Sequence, residues 1–185
     1  YLTAVNENAE VVLGPVKSIY PIDAPKWIVQ CDLHSTKPVF VNGIIETGYT
    51  CNTLLNLESE HIKNETFDLA LGKSGGEDTD YFSRVFKKGA KLKYSENAIV
   101  CEPVTNGRAS LNWLAKRRFR MGQTYAPTKF VVKLMCKSLA KVTFCSLMSL
   151  LFCLSASRRY SWFLRGCFHF GVMTKLTGAK NIELY

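Results

Sequence analysis

Three carboxylates crowd into four positions, Glu77, Asp78 and Asp80, directly behind Gly75-Gly76 in "KSGGEDTDYFSRVFKKGAKLKYS". Like charges at this spacing repel, so a chain keeps them where a helix start, a cation or a reaction makes use of them. A helix start accounts for one or two acids, because Glu77 and Asp78 complement the positive end of the macrodipole and cap free amides. It does not account for the third acid or for the glycines, which permit a sharp backbone path and leave room for another molecule to approach. A calcium loop fails: after Asp78 and Asp80 the next alternate positions are Phe82 and Arg84, with no terminal Glu at the required spacing. A general base for sugar transfer fits better. Inverting transfer needs one carboxylate to take a proton from the acceptor hydroxyl, and cations to hold the departing diphosphate. Asp78 is the candidate base, with Glu77 and Asp80 orienting acceptor or backbone. Glycoside hydrolysis would need a second carboxylate across the scissile bond; Glu102 is the obvious partner, but the basic segment downstream would then have no task.

That segment, "RASLNWLAKRRFRMGQTYA", supplies planar guanidinium forks suited to phosphate oxygens at Arg108, Arg117, Arg118 and Arg120, with Trp113 and Tyr125 for stacking. A solvated or membrane-surface stripe explains any single arginine equally well. The charge is unevenly placed: residues 1–105 carry 10 Lys/Arg against 14 Asp/Glu, residues 106–185 carry 14 against 1, so the halves stand at −4 and +13. Only the second half seeks anionic partners. No nucleic-acid motif accompanies it and much of the charge borders apolar runs, so nucleic acid is not the expected partner.

The elements that must position these groups follow from the pattern. Residues 11–16 read as a strand interrupted by Gly14-Pro15, and "DAPKWIV" as a Pro-punctuated loop. One or two strands are expected within 44–55. Tyr81, Phe82, Val85 and Phe86 recur at helical spacing from Asp78, and Gly89 suits the residue after the helix end. Strands at "KLKYS" and "AIVCEPV" precede the basic helix, where Leu111, Leu114 and Met121 are expected to face inward and Trp113, Arg117 and Arg120 to share another face. Residues 142–157 lack charge and are flanked by Lys133, Lys137 and Lys141 before and Arg158-Arg159 after, with a second aromatic run, "YSWFLRGCFHFGVM", behind. This predicts a helical hairpin lying in an anionic membrane face, its cations reaching headgroups. A soluble helical pair and a tilted span are the alternatives. Seven cysteines without a C-x-x-C pair, mostly in apolar runs, predict buried free thiols in a reducing compartment. The chain opens on Tyr1, shows no signal peptide and is expected to be a fragment.

Taken in order, "GPV", "P.W", "TGYTCNTLL" and "GGEDTDYFSRVFKKGAKLKYSENAIVCEPVTNGRASLNWLAKRRFRMGQ", with an apolar basic tail, resemble family 2 glycosyltransferases of the GT-A fold, in particular bacterial exopolysaccharide enzymes of the succinoglycan-biosynthesis kind. The resemblance covers roughly residues 9–125 and rests on "GGED.D" together with "R....W...R..R.G". It implies an α/β fold: the acceptor-side part of a Rossmann-like GT-A domain over residues 1–127, without its nucleotide-binding N-terminal half, then a membrane-associated helical hairpin over 128–185. It implies that Asp78 is the inverting base and Glu77 lies toward the acceptor, with Asn52, Gly76 and Asp80 on the acceptor side. Arg108, Arg117, Arg118 and Arg120 then approach the diphosphate. The implied donor is a nucleotide-diphosphate sugar held with Mg²⁺ or Mn²⁺, whose ligands are expected upstream, Glu102 being the one candidate here. A glycan or lipid-linked glycan is the implied acceptor, at the cytoplasmic face of the cell membrane. The 185-residue chain alone is expected to be inactive, and the alternative is a non-catalytic membrane-binding remnant.

Overall fold

The computed structural model describes residues 8–72, 75–127 and 129–183, a mixed α/β chain. It forms two compact units. One holds the described residues of Tyr1–Ile19, His34–Gly72 and Gly76–Pro103; the other holds those of Tyr20–Leu33, Lys73–Gly75 and Val104–Tyr185.

In the first unit, β1 (Val11–Leu13) is the middle strand of a three-stranded sheet, antiparallel to β5 (Thr53–Leu55) and parallel to β6 (Leu92–Tyr94). At Gly14-Pro15 the ladder breaks, as the sequence predicts, and β2 (Val16–Ile19) continues parallel to β7 (Val100–Pro103). The longer stretch 95–99 joins β6 to β7 opposite those two residues, and Asn52 fills the mismatch. Its amide nitrogen donates to Pro15 O at 2.9 Å and Ala98 O at 2.7 Å. Only glycine fits at 14, since a Cβ there would stand 2.3 Å from Ala98 O and 2.4 Å from Asn52 Nδ2. A short hairpin, β3 (Phe40–Val41) and β4 (Ile44–Ile45), turns through Asn42-Gly43, both at positive φ, as a two-residue turn requires. Helix α2 (Glu77–Lys87) buries Tyr81, Phe82 and Val85 against Val11, Leu13, Ile45 and Ile62. It stops at Gly89, whose φ of 107° relieves the chain of a left-handed strain that a side chain would add.

Glu10 ties the edges of this unit together. Its carboxylate accepts from Ser59 Oγ, from Lys91 N at 2.9 Å and from the His61 ring at 2.8 Å. Burial pushes its pKa up, but these hydrogen bonds and the His61 charge overcome that and hold it below the ordinary value.

The second unit is helical: α1 (Lys26–Cys31), α3 (Leu111–Tyr125), α4 (Val132–Leu151) and α5 (Ala156–Leu176). Helix α1 corrects the expected loop over "DAPKWIV". Pro25 suits a helix start, and the fully buried Ile28 packs with Leu114 and Leu164, an anchor more than 80 residues away in sequence that local pattern does not reveal. Helices α3 and α5 approach until their backbones touch, through Gly122 and Gly171. The inward face of α3 is Leu114, Gly122 and Gln123, and Met121, expected inside, is 36% exposed. Buried Gln123 fastens the final segment, donating to Lys180 O at 3.1 Å and accepting from Ile182 N at 2.9 Å. Helices α4 and α5 form the expected hairpin. The thiols are all free as expected, but the expected burial holds only in part: Cys145 is buried, Cys31 and Cys167 half-buried, and Cys51, Cys101, Cys136 and Cys153 exposed.

Candidate active site

Gly76, at φ 101°, delivers the chain into α2 through a conformation that favours glycine, and its carbonyl accepts from Asp80 N at 2.9 Å. The three acids of the first helical turn then diverge. Asp78 is half-exposed, and both its oxygens meet one residue: Thr50 Oγ1 donates to Oδ1 at 2.9 Å and Thr50 N to Oδ2 at 3.3 Å. Two donors from one residue fix the carboxylate plane while leaving lone pairs for another partner. Glu77 presents a buried Oε2 with no hydrogen-bond donor among the described residues. Asp80 turns into an ion network instead. It accepts from Arg84 Nε at 2.8 Å, and Arg84 and Lys88 both pair with Glu65. The crowding that opened the question is thus relieved by separate partners for two acids, with Glu77 left over.

Thr50 is the residue that sequence reasoning missed. The signal available was its place in "YTCN", two positions before Asn52. A 3-10 turn over Thr50–Asn52 carries both: Asn52, 6% exposed, holds the turn down through its bonds to the kink, and Thr50 faces Asp78. Asn52 therefore positions the loop through its amide nitrogen. Glu102 lies exposed on β7, across from Ser18.

In the helical unit the arginines do not form one cluster. Arg108 and Arg117 flank the Trp113 ring, their guanidinium carbons 5.7 and 5.3 Å from its centroid. Arg120 lies against Gly75, close enough that a Cβ there would be 2.9 Å from its guanidinium carbon. Arg118 points elsewhere and lines a cavity with residues of α5. Among the described residues no group of three or more His, Cys, Asp or Glu is placed to hold a metal ion. Asp78 is directed to Thr50 and Asp80 to Arg84, so the two carboxylates take separate partners.

No protein-family model matches the chain, and no solved structure matches it. The succinoglycan biosynthesis protein ExoM of Rhizobium meliloti (strain 1021) is 43% identical over 196 residues, an alignment that takes in 99% of this chain. The chain spans 62% of the length of that relative. With the glycine-acid step, the Thr50-held carboxylate and the arginine-bearing helix all inside the aligned length, the chain is homologous to that protein.

Proposed function

We propose that this chain is the acceptor-side portion of an inverting glycosyltransferase of polysaccharide biosynthesis. The observation that carries the proposal is Asp78, half-exposed at a helix start and oriented by both donors of Thr50. As the acceptor oxygen attacks the anomeric carbon, Asp78 takes its proton, and the nucleoside diphosphate departs with the electron pair of the broken glycosidic bond. Glu77 Oε2, buried without a donor, accepts from a second acceptor hydroxyl. Gly76 keeps the helix start open, Asn52 and Asp80 fix the surrounding backbone, and Arg108, Arg117 and Arg120 are candidates for the diphosphate. In this reading residues 1–127 belong to a GT-A catalytic domain and 128–185 to its membrane-associated region. The remaining donor contacts and the ligands of a Mg²⁺ or Mn²⁺ ion would come from the length that the relative has and this chain does not span.

Helix α4 supports the placement at a membrane. At 20 residues it is long and apolar enough to cross one, and only 11% of its apolar stretch is buried, so it is not a core helix. Leu139, Leu147, Leu150, Leu151 and Leu154 stand exposed along the hairpin. With cations at both ends, the hairpin lies in the cytoplasmic face and brings the enzyme to a glycan or lipid-linked glycan acceptor.

The test is sugar transfer by the full-length protein, with a panel of nucleotide-diphosphate sugars and membrane-extracted acceptor. Asp78→Asn is expected to lower turnover by about a hundredfold to ten-thousandfold, with an unchanged circular dichroism spectrum. A loss smaller than about tenfold removes Asp78 from the base role.

A further inference from the structure

The helical unit holds a cavity of about 520 Å³ among α1, α3 and α5 that the transferase reading does not use. Arg118 and Arg165 line it with His169, Cys31, Leu164 and Phe168. Phe168 and His169 are shared with a second cavity of about 290 Å³, which Lys137 and Lys141 of α4 also line. Four permanent cations thus border two adjoining hollows, and neither lining contains a carboxylate. The local field is visible in His169, whose pKa is held below its ordinary value first by burial and then by the Lys141 charge.

We infer that these adjoining cavities bind the phosphate headgroup of a membrane lipid. Two planar forks match phosphate oxygens in bidentate fashion, and the two lysines add charge beyond what a single carboxylate ligand would need. Leu164 and Phe168 give one wall to the apolar part of an amphiphile, and the volume suits a headgroup rather than a bare ion. Arg165 sits at the exposed rim with its guanidinium carbon 4.8 Å from the Trp162 centroid, so a phosphate that draws it away changes the indole's surroundings. This site goes beyond the diffuse attraction of a basic hairpin to anionic lipid. It rests on the membrane placement of that hairpin and not on the transferase chemistry.

The experiment titrates the full-length protein with phosphatidylcholine vesicles containing phosphatidic acid, read by sedimentation and tryptophan fluorescence. Arg118→Gln with Arg165→Gln is expected to weaken binding about tenfold or more, the effect of losing about 1.4 kcal/mol. The charge-matched pair Lys26→Gln with Lys116→Gln, both exposed and outside the hairpin and both cavities, is expected to weaken it less than about threefold. Equal losses from both pairs overturn the site and leave the membrane reading standing. No sedimentation with any vesicle overturns both. Pyrophosphate alone binding as tightly as the vesicles, with the same arginine dependence, overturns the lipid as the source of the phosphate. Wild-type protein gives a check that needs no variant. Phosphatidic acid vesicles should slow alkylation of half-buried Cys31, whose Sγ lies 3.5 Å from Ser161 Oγ, and leave exposed Cys51 and Cys101 unchanged. Unslowed Cys31 overturns the proposal.

Discussion

Replacing Gly171 by alanine sets two physical rules against each other. In a helix interior the change ordinarily stabilises by about 0.8–1 kcal/mol, because alanine has less backbone freedom to lose. In α5 the new methyl would lie 2.0 Å from the Phe119 carbonyl oxygen, 2.9 Å from the carbonyl carbon and 3.2 Å from Gln123 N. A carbon–oxygen contact relaxes near 3.3 Å, so α3 and α5 must part by about 1.3 Å. Parting loosens Val172, which is fully buried, and stretches the Gln123 bonds to the final segment. Overpacking of this kind costs about 3 kcal/mol at the upper end of its usual range. Setting the helix gain of about 1 kcal/mol against it leaves a net destabilisation of about 2 kcal/mol. At 2–4 °C per kcal/mol for a chain of this size, Tm should fall by about 4–8 °C. The assay is selective, since Trp27, Trp113 and Trp162, the three tryptophans, all lie in the helical unit and their fluorescence melt reads that unit alone. Gly107, whose Cβ would meet nothing within 4 Å, is the control and should tolerate alanine. An unchanged or raised Tm for Gly171→Ala would mean that propensity wins, and would refute the backbone contact.

Other expectations follow from single contacts. Thr50→Val removes the hydroxyl bond to Asp78 and keeps the backbone one, so kcat should fall about tenfold with little change in KM, the loss of one charge-assisted bond; steady-state kinetics of the full-length protein checks this. Gly14→Ala should expel the Asn52 amide from the strand kink and destabilise the sheet unit by about 2 kcal/mol, seen as lost hydrogen-exchange protection in β1 and β6. Because the Glu10 pKa is held down, its stabilisation is complete above the unfolded value near 4.5 and is lost as pH falls through the folded one; Glu10→Gln should flatten that slope in the same exchange measurement. His169 is likewise held down, so the helical unit should lose stability as pH drops below about 6.5 toward its folded pKa. A His169→Phe variant whose fluorescence melt kept the same acid slope would assign that loss elsewhere.

Features set by near neighbours in the chain were legible in the sequence. The Gly14-Pro15 break, the helix from Glu77 to the Gly89 stop, and the hairpin of α4 and α5 each depend on backbone preference or periodicity within a few residues. What was not legible depends on distant packing. Helix α1 forms where Ile28 meets Leu164, and a hexapeptide alone has no reason to coil. On α3 Leu111 and Leu114 face the core as expected, but glycine packing carries Gly122 to the centre and leaves Met121 outward. At the candidate site, residue types drew attention to Asp78, but a threonine 28 positions earlier that donates to it carries no local signal. The arginines read as one phosphate cluster, whereas helical geometry sends Arg118 away from Arg117 and Arg120.

The helical unit takes its α1 from residues 20–33 and its other helices from beyond residue 104, with most of the sheet unit's chain in between. During synthesis the segment carrying Ile28 and Trp27 therefore leaves the ribosome long before Leu164 and Tyr160 exist to cover them. For that interval its apolar surface is open to other nascent chains. The sheet unit has no such wait, since its strands and α2 are complete by residue 103. Stalling translation within α4 should thus leave a folded sheet unit beside an adhesive, chaperone-dependent α1, and release of α5 is the event that ends the exposure.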